Sequence, residues 1–284
     1  MFPLCFILLL FATNPQDKPL PDARTLMEDF RKTLHSDRTL LSQYTYTEKE
    51  TQTTLDSSGK PTKSETNIYQ VIRGAEEWQT YRRRISKNGL ALSDSELEKQ
   101  DREEQKRVEK ETRKRANWSE SKRRQEKAKA DQKEREILDE VFATYDIQLV
   151  GREELEGIST ILVTFKARPG DKPRSREGKI LQHIAGRAWI AEDDHQMAKL
   201  EAEIIDPISI GAGILAKVQK GSKLAFERRK INNEIWLPVR VDASLNGRLL
   251  LLKGINMREV TEYSDHKKYT VDTQLKFGEP LEKY

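Results

Sequence analysis

Cysteine is almost missing from this chain: the one residue, Cys5, sits inside an apolar run near the N-terminus. A disulfide framework and a cysteine nucleophile are therefore both excluded from everything that follows it. Long hydrophobic runs are missing too. Crossing a bilayer as a helix takes about 20 apolar residues, and the longest run, Phe2 to Ala12, falls well short. It has the length of the apolar part of a secretory signal peptide, and Ala12-Thr13-Asn14-Pro15-Gln16 supplies a small residue and a polar stretch after it. The expected division is a signal segment, 1–16, ahead of one domain, 17–284. No Lys or Arg precedes the apolar run, so either the start lies upstream or the signal is a weak one. A buried N-terminal strand is the alternative reading.

A surplus of one charge sign is also lacking. The net charge is only +4 although 35% of residues are charged, so composition alone implies no nucleic-acid partner, which would need bases gathered on one face. Catalytic signatures are equally scarce. The four histidines, His35, His183, His195 and His266, are scattered, and none stands in a paired metal-ligand spacing. There is no Gly-x-Ser-x-Gly elbow. His195 follows Asp193 and Asp194, a trio able to hold a metal or move a proton, but its setting between two β-prone runs reads as a polar hairpin tip. Gly211-Ala212-Gly213-Ile214-Leu215-Ala216 fits a relaxed dinucleotide fingerprint without the βαβ context that gives it meaning. Gly178-Lys179 is followed by Ile180 where a phosphate-binding loop needs Ser or Thr. The expectation is no catalytic residue, no metal and no cofactor. A hydrolase built on Asp193, Asp194 and His195 is the least supported reading.

What the chain does have is strand signal. A helical opening over 19–43 carries Leu26, Met27, Phe30, Leu34, Leu40 and Leu41 at helical spacing, with Asp22 as its cap. Tyr44 to Leu55, rich in Thr and Tyr, predicts a strand; Asp56-Ser57-Ser58-Gly59-Lys60-Pro61 a turn; Thr62 to Arg73 its return; Glu76 to Lys87 a third strand. Short β-prone runs resume over 147–149, 160–167, 187–191, 197–205, 223–230, 234–245 and 249–261. Asn232-Asn233 and Asn246-Gly247 read as hairpin turns. Tyr269 to Phe277 reads as a last alternating strand, and Pro207 to Val218 as a short helix or buried apolar loop.

Residues 94–140 break this rhythm. Nearly every residue is charged, Gln or Ala, with acids and bases alternating as on a solvated helix. Ser93 and Asp94 with Glu96 and Glu98 suit a helix start, and Asn117-Trp118-Ser119 suits a break between two helices. No heptad seam persists long enough to define a coiled coil. The segment reads as an inserted, largely exposed helical arm whose last turns dock on the body. Arg113-Lys114-Arg115 and Lys122-Arg123-Arg124 flank Trp118, a pattern suited to stacking on a base; a balanced solvated helix explains it better.

Three stretches together resemble the outer-membrane lipoprotein-sorting (LolA/LolB-like) superfamily of periplasmic proteins. The first is the opening helix running into Tyr44-Thr45-Tyr46-Thr47. The second is Gly186-Arg187-Ala188-Trp189-Ile190-Ala191 with its acidic turn and the return to Glu201. The third is Trp236-Leu237-Pro238 with the strands after it, through Tyr263-Ser264-Asp265-His266-Lys267-Lys268-Tyr269. The resemblance covers most of the chain outside the charged insertion, and it implies a mainly β (α+β) fold: a curved antiparallel sheet forming an unclosed barrel, with helices over its mouth. It also implies a periplasmic, non-enzymatic carrier of a lipid or lipoprotein acyl chain, or a related module that senses envelope stress by binding a regulator. The apolar inventory for such a cavity is Tyr46, Trp78, Tyr81, Trp189 and Trp236, with Ile210 and Ile214 on a movable lid over 207–218; any one of them is explained as well by an ordinary core. The alternative partner is an envelope protein gripped by 94–140. A monomer is expected, with no nucleic acid bound.

Overall fold

Alternation of side chains sets the architecture. In the computed structural model the described residues are 18–33, 38–74, 76–170, 173, 175–210, 216–249 and 253–269. Within them, α1 (Ala23–Thr33) and α2 (Arg38–Leu41) precede a long hairpin of β1 (Tyr44–Leu55) and β2 (Pro61–Ile72). Its turn is tied by the Asp56 carboxylate, which accepts from the backbone N–H of Ser58 and of Lys60. Next come β3 (Tyr81–Lys87), a two-residue β4 (Leu90–Ala91), and the helices α3 (Asp94–Ala116) and α4 (Glu120–Thr144). The chain then runs through β5 (Tyr145–Leu155), β6 (Ile158–Ala167), α5 (Arg176–Leu181), β7 (Ile184–Ala191) and β8 (Met197–Ile204). It ends with β9 (Ile208–Ile210), β10 (Ala216–Val218), β11 (Lys223–Ile231), β12 (Ile235–Leu249) and β13 (Lys253–Lys268).

All pairings are antiparallel, in the order β4-β3-β2-β1-β13-β12-β11-β8-β7-β6-β5, and the sheet does not close into a barrel. Two meanders are thus joined at one seam, β1 against β13. Because successive side chains alternate across a sheet, the registers place Ile147, Val163, Ala188, Leu200 and Phe226 on one face, and Val241, Thr261 and Glu50 continue the same row. Helices α1 and α2 lie on this face. Leu26 of α1 is 2% exposed, and with Phe30 it packs on Ile161, Val163, Ala188 and Ile190. Leu40 and Leu41 of α2 pack on Tyr44, Ile235 and Leu237. A third cluster, Ala191, Ala198 and Trp236 with Leu155 and Ile158, sits elsewhere.

Several expectations meet the structure unevenly. The first hairpin and the strands from β5 to β8 fall where alternation places them, and Asn232 and Asn233 both take positive φ in a tight turn. The third strand begins later than expected: Trp78 lies on a 3-10 turn, Glu77–Gln79, ahead of β3. Residues 208–210 and 216–218 form a small strand pair rather than a helix, and β10 adds to β12. Asn246-Gly247 makes no turn; both residues lie within β12, opposite Asn256 and Ile255. Glycine is needed there for a different reason. A Cβ on Gly247 would lie 2.4 Å from the Lys217 carbonyl oxygen, so its absence lets β10 approach. The expected signal segment 1–16, and 270–277 of the expected last strand, lie outside the described residues.

The charged insertion is two helices joined at Asn117–Ser119, and the first is not a free arm. Ser93 caps α3 in a reciprocal box with Glu96. The Gln100 side chain accepts from the Arg84 N–H and donates to the Arg84 carbonyl, so it pairs the edge of β3 as a neighbouring strand would. Asp101, 7% exposed, accepts from the Tyr81 hydroxyl at 2.8 Å and from both guanidinium arms of Arg83. Burial, then this hydrogen bond, hold the Tyr81 phenol well above its ordinary range. Arg107 donates to the carbonyl of Trp78. Farther along, the Arg115 guanidinium lies over both the Trp78 ring, at 4.9 Å, and the Trp118 ring, at 5.0 Å. The sequence shows the charges of α3 but not that they line an edge.

The seam carries one ionisable group in an apolar setting. The His266 ring lies 5.7 Å from the Tyr46 ring, which meets Tyr263 edge-on at the same distance. Its Nε2 donates to the Pro238 carbonyl at 3.1 Å. Burial depresses the His266 pKa, outweighing that hydrogen bond and the nearby Asp265.

Two stability measurements follow from these contacts. Asp101→Leu leaves Arg83 and Tyr81 without their acceptor, and because Arg83 is partly solvated the expected loss is about 2 kcal/mol, read by urea denaturation. A change below about 0.5 kcal/mol, the scale of an ordinary surface substitution, would show that this carboxylate does not anchor α3. For His266, the unfolded chain binds a proton near pH 6.5 while the folded chain resists it. Stability is therefore present above that pH and falls as the pH drops through and below about 6.5, until the folded ring also protonates. His266→Phe is expected to flatten this slope, and an unchanged slope would count against it.

Candidate functional site

A concavity lies beside α1, at the flank of the sheet. Asp22 opens α1 by accepting from the backbone N–H and the hydroxyl of Thr25, and these hydrogen bonds hold its carboxyl below the ordinary range. The helix then turns Leu26 and Phe30 to the sheet and leaves Met27 at its flank. There an open cleft of about 350 Å³ runs between α1, the last turn of α4 and the start of β5. Its size is at the small end of ligand sites.

The lining is amphipathic. Met27, Phe142, Tyr145 and Ile147 supply an apolar floor, and Arg24, Arg31 and Arg168 stand around it with Glu28 and Asp146. The Arg31 guanidinium lies over the Phe142 ring at 5.6 Å and pairs with Asp139, which ties α1 to α4. Arg168 donates to the Ala143 carbonyl in the last turn of α4. Tyr145 packs edge-on against Phe165 and donates to the Leu181 carbonyl; burial pushes its phenol up to about 12. The floor thus offers dispersion contacts and the rim offers cations, an arrangement that suits a molecule with an apolar tail and an anionic head.

The residues expected to line a cavity are dispersed. Tyr46 sits at the β1–β13 seam, its hydroxyl accepting from Arg73 at 3.3 Å. Trp78 is held by Arg115 on the 3-10 turn, and Tyr81 by Asp101. Trp189 donates its indole N–H to Glu153 at 2.7 Å and carries Arg187 and Lys199 over its ring. Trp236 donates to Asp194 at 2.8 Å. Ile210 belongs to β9, with its side chain outside the described residues, and Ile214 lies outside them altogether. None of the five aromatic residues lines the cleft beside α1. Met27, Phe142 and Ile147 were visible only as periodic apolar positions, and nothing in the sequence marks Arg24, Arg31 or Arg168 as neighbours.

The acidic turn between β7 and β8 has a structural role. Burial would raise the Asp194 pKa, but hydrogen bonds from Lys230 and Trp236, and from the Gln196 backbone, hold the carboxyl below its ordinary value. His195 takes φ of 55° at the tip, and its carbonyl accepts from the Thr33 hydroxyl. Among the described residues no group of three or more His, Cys, Asp and Glu side chains is placed to hold a metal ion. No helix among them is long and apolar enough to cross a membrane.

No family model matches the chain, and no curated protein matches it. Solved structures do. A DUF1329 family protein from Desulfovibrio piger is 14% identical, with 88% of this chain and 95% of that one covered at a TM-score of 0.30. The LolA superfamily protein NE2245 from Nitrosomonas europaea is 10% identical over 89% and 96%, at 0.29. An outer membrane lipoprotein-sorting protein domain from Vibrio parahaemolyticus is 9% identical over 89% and 95%, at 0.31. Superpositions this loose carry nothing about ligand or partner. The open antiparallel sheet expected from the sequence resemblance is nevertheless the sheet this chain forms.

Proposed function

We propose that this chain is a non-enzymatic binding protein or carrier of the cell envelope, working in the periplasm on an amphiphile such as a lipid or the acyl chain of a lipoprotein. The observation that carries the reading is the cleft beside α1, where an apolar floor of Met27, Phe142, Tyr145 and Ile147 is edged by Arg24, Arg31 and Arg168. An acyl chain on that floor leaves water at a gain of about 25 cal/mol for each Å² removed, and an anionic head finds a cation at the rim. The cleft is small, so α1 is the element that would move to admit a longer chain. Its grip on the sheet is the stripe of Leu26 and Phe30, with Arg31 pairing to Asp139 and Thr33 hydrogen-bonded to the turn between β7 and β8. The sequence resemblance supports the same class of ligand.

The second reading, an envelope protein gripped by the charged segment, now concerns α4 rather than all of 94–140, because α3 is committed to the edge of β3. Deleting the whole segment would uncover that edge and confuse the two readings.

The cleft is tested by native mass spectrometry of protein purified from an envelope fraction, followed by lipid extraction. A co-purifying lipid or acylated peptide at fixed stoichiometry is expected, together with its loss by about tenfold or more in Met27→Glu, which places a charge on the floor. Ligand retained in a folded Met27→Glu protein would remove the cleft as the site.

A further inference from the structure

The charges of the α3–α4 corner are not distributed like those of the rest of the chain. From Arg113 to Lys129 there are eight bases, Arg113, Lys114, Arg115, Lys122, Arg123, Arg124, Lys127 and Lys129, against two acids, Glu120 and Glu126. That local net of +6 exceeds the +4 of the entire chain, so everything else is net negative. The corner is solvated, with Arg113 81% exposed in its side chain and Lys129 61%, although Arg113 pairs with Glu109, Lys114 and Arg115 with Glu111, and Lys122 and Lys129 with Glu126. Arg123, Arg124 and Lys127 are exposed, and among the described residues they form no ion pair. Lys127 stands one turn from both Arg123 and Arg124 (i+4 and i+3), so the three fall within about 100° of one side of α4.

Helix stability does not account for this order. A helix favours acids in its first turns and bases in its last. Within α4 the first half, 120–130, holds five bases and two acids, and the second half, 131–144, holds two bases and five acids. The last turn of α4 contains no base. The gradient therefore runs against the backbone dipole, with a set of unpaired arginines near the N-terminal end.

We infer that this basic corner is a docking surface for an anionic lipid bilayer. Two features favour a bilayer over other polyanions. Between Ser119 and Glu136 the only apolar side chains are Ala128 and Ala130, so the surface lacks the aromatic or aliphatic anchors on which a specific protein contact depends. Trp118, the one aromatic between Arg113 and Lys129 in the chain, already has Arg115 over its ring at 5.0 Å and Lys122 at 6.0 Å, and Arg115 also covers the Trp78 ring at 4.9 Å, which engages the faces a nucleobase would stack on. Spread cations without an anchor suit a fluid surface whose anionic headgroups gather beneath them. The inference rests on charge placement alone and stands whether or not the cleft beside α1 holds a lipid.

The test is co-sedimentation of the full chain with phosphatidylcholine vesicles, with and without phosphatidylglycerol, at low and high salt. Binding is expected only with phosphatidylglycerol, and it should weaken steeply as salt rises. R123E/R124E/K127E should lose about a hundredfold in vesicle affinity. All three positions are exposed on α4, so the variant should stay folded with at most a small drop in melting temperature from like-charge neighbours; its helicity and melting curve are measured alongside, so that a loss of binding is separated from a loss of fold. K60E/K63E/K220E changes the net charge equally at other exposed lysines and should bind like wild type. Equal binding to pure phosphatidylcholine, wild-type binding by R123E/R124E/K127E, or tighter binding to a single-stranded DNA homopolymer than to the anionic vesicles would each overturn the proposal.

Discussion

Everything in this fold depends on one antiparallel pairing, β1 with β13, which brings together the strands nearest the two ends of the described chain. Without it there are two separate meanders, β1 to β4 and β5 to β13. Ten register pairs hold it, with one irregularity between Thr45 and Thr47, and the seam is packed by Tyr46, Tyr263 and His266. Closing so long a loop is entropically expensive in the unfolded chain but grows only slowly with length, so a well-packed seam suffices to carry the large charged insertion between the meanders.

An open sheet leaves edges, and an exposed edge invites pairing with another chain. At β3 the solution is polar. Gln100 satisfies the backbone of Arg84, Asp101 takes Tyr81 and Arg83, and Arg107 reaches the carbonyl of Trp78. A segment whose composition suggests a solvated arm thus serves as the cover of an edge. Charged side chains are suited to this role because an edge presents donors and acceptors rather than apolar surface.

Much of the sheet was legible in the sequence, and the reasons for the rest are specific. β1, β2 and the β6–β8 run alternate clearly, and Asn232-Asn233 states its turn. Asn246-Gly247 has the chemistry of a turn, but the glycine answers to the carbonyl of Lys217, a neighbour fixed by tertiary pairing that no local pattern reveals. Trp78 has strand propensity, yet its ring is held by Arg115 from 37 positions away in the chain. The candidate site was the least legible part. The large aromatic residues drew attention by size, whereas register parity sends Trp189 and Ile190 to opposite faces and disperses the set. The cleft is made by Met27, Phe142 and Ile147, modest residues from three elements that only the docking of α1 against α4 and β5 brings together.

The second helix of the insertion has a mechanical consequence. Its 25 residues make a rod about 37 Å long. The rod starts beside the turn ahead of β3, where Arg115 holds Trp78, and ends by entering β5 at the opposite edge. Nine strand spacings separate those edges, about 43 Å if the sheet were flat. α4 is therefore a chord drawn across the arc of the sheet and fastened at both ends. A chord of fixed length sets how far an arc can open or curl, so the curvature of the sheet, and with it the room beneath α1, is tied to the straightness of one solvated helix.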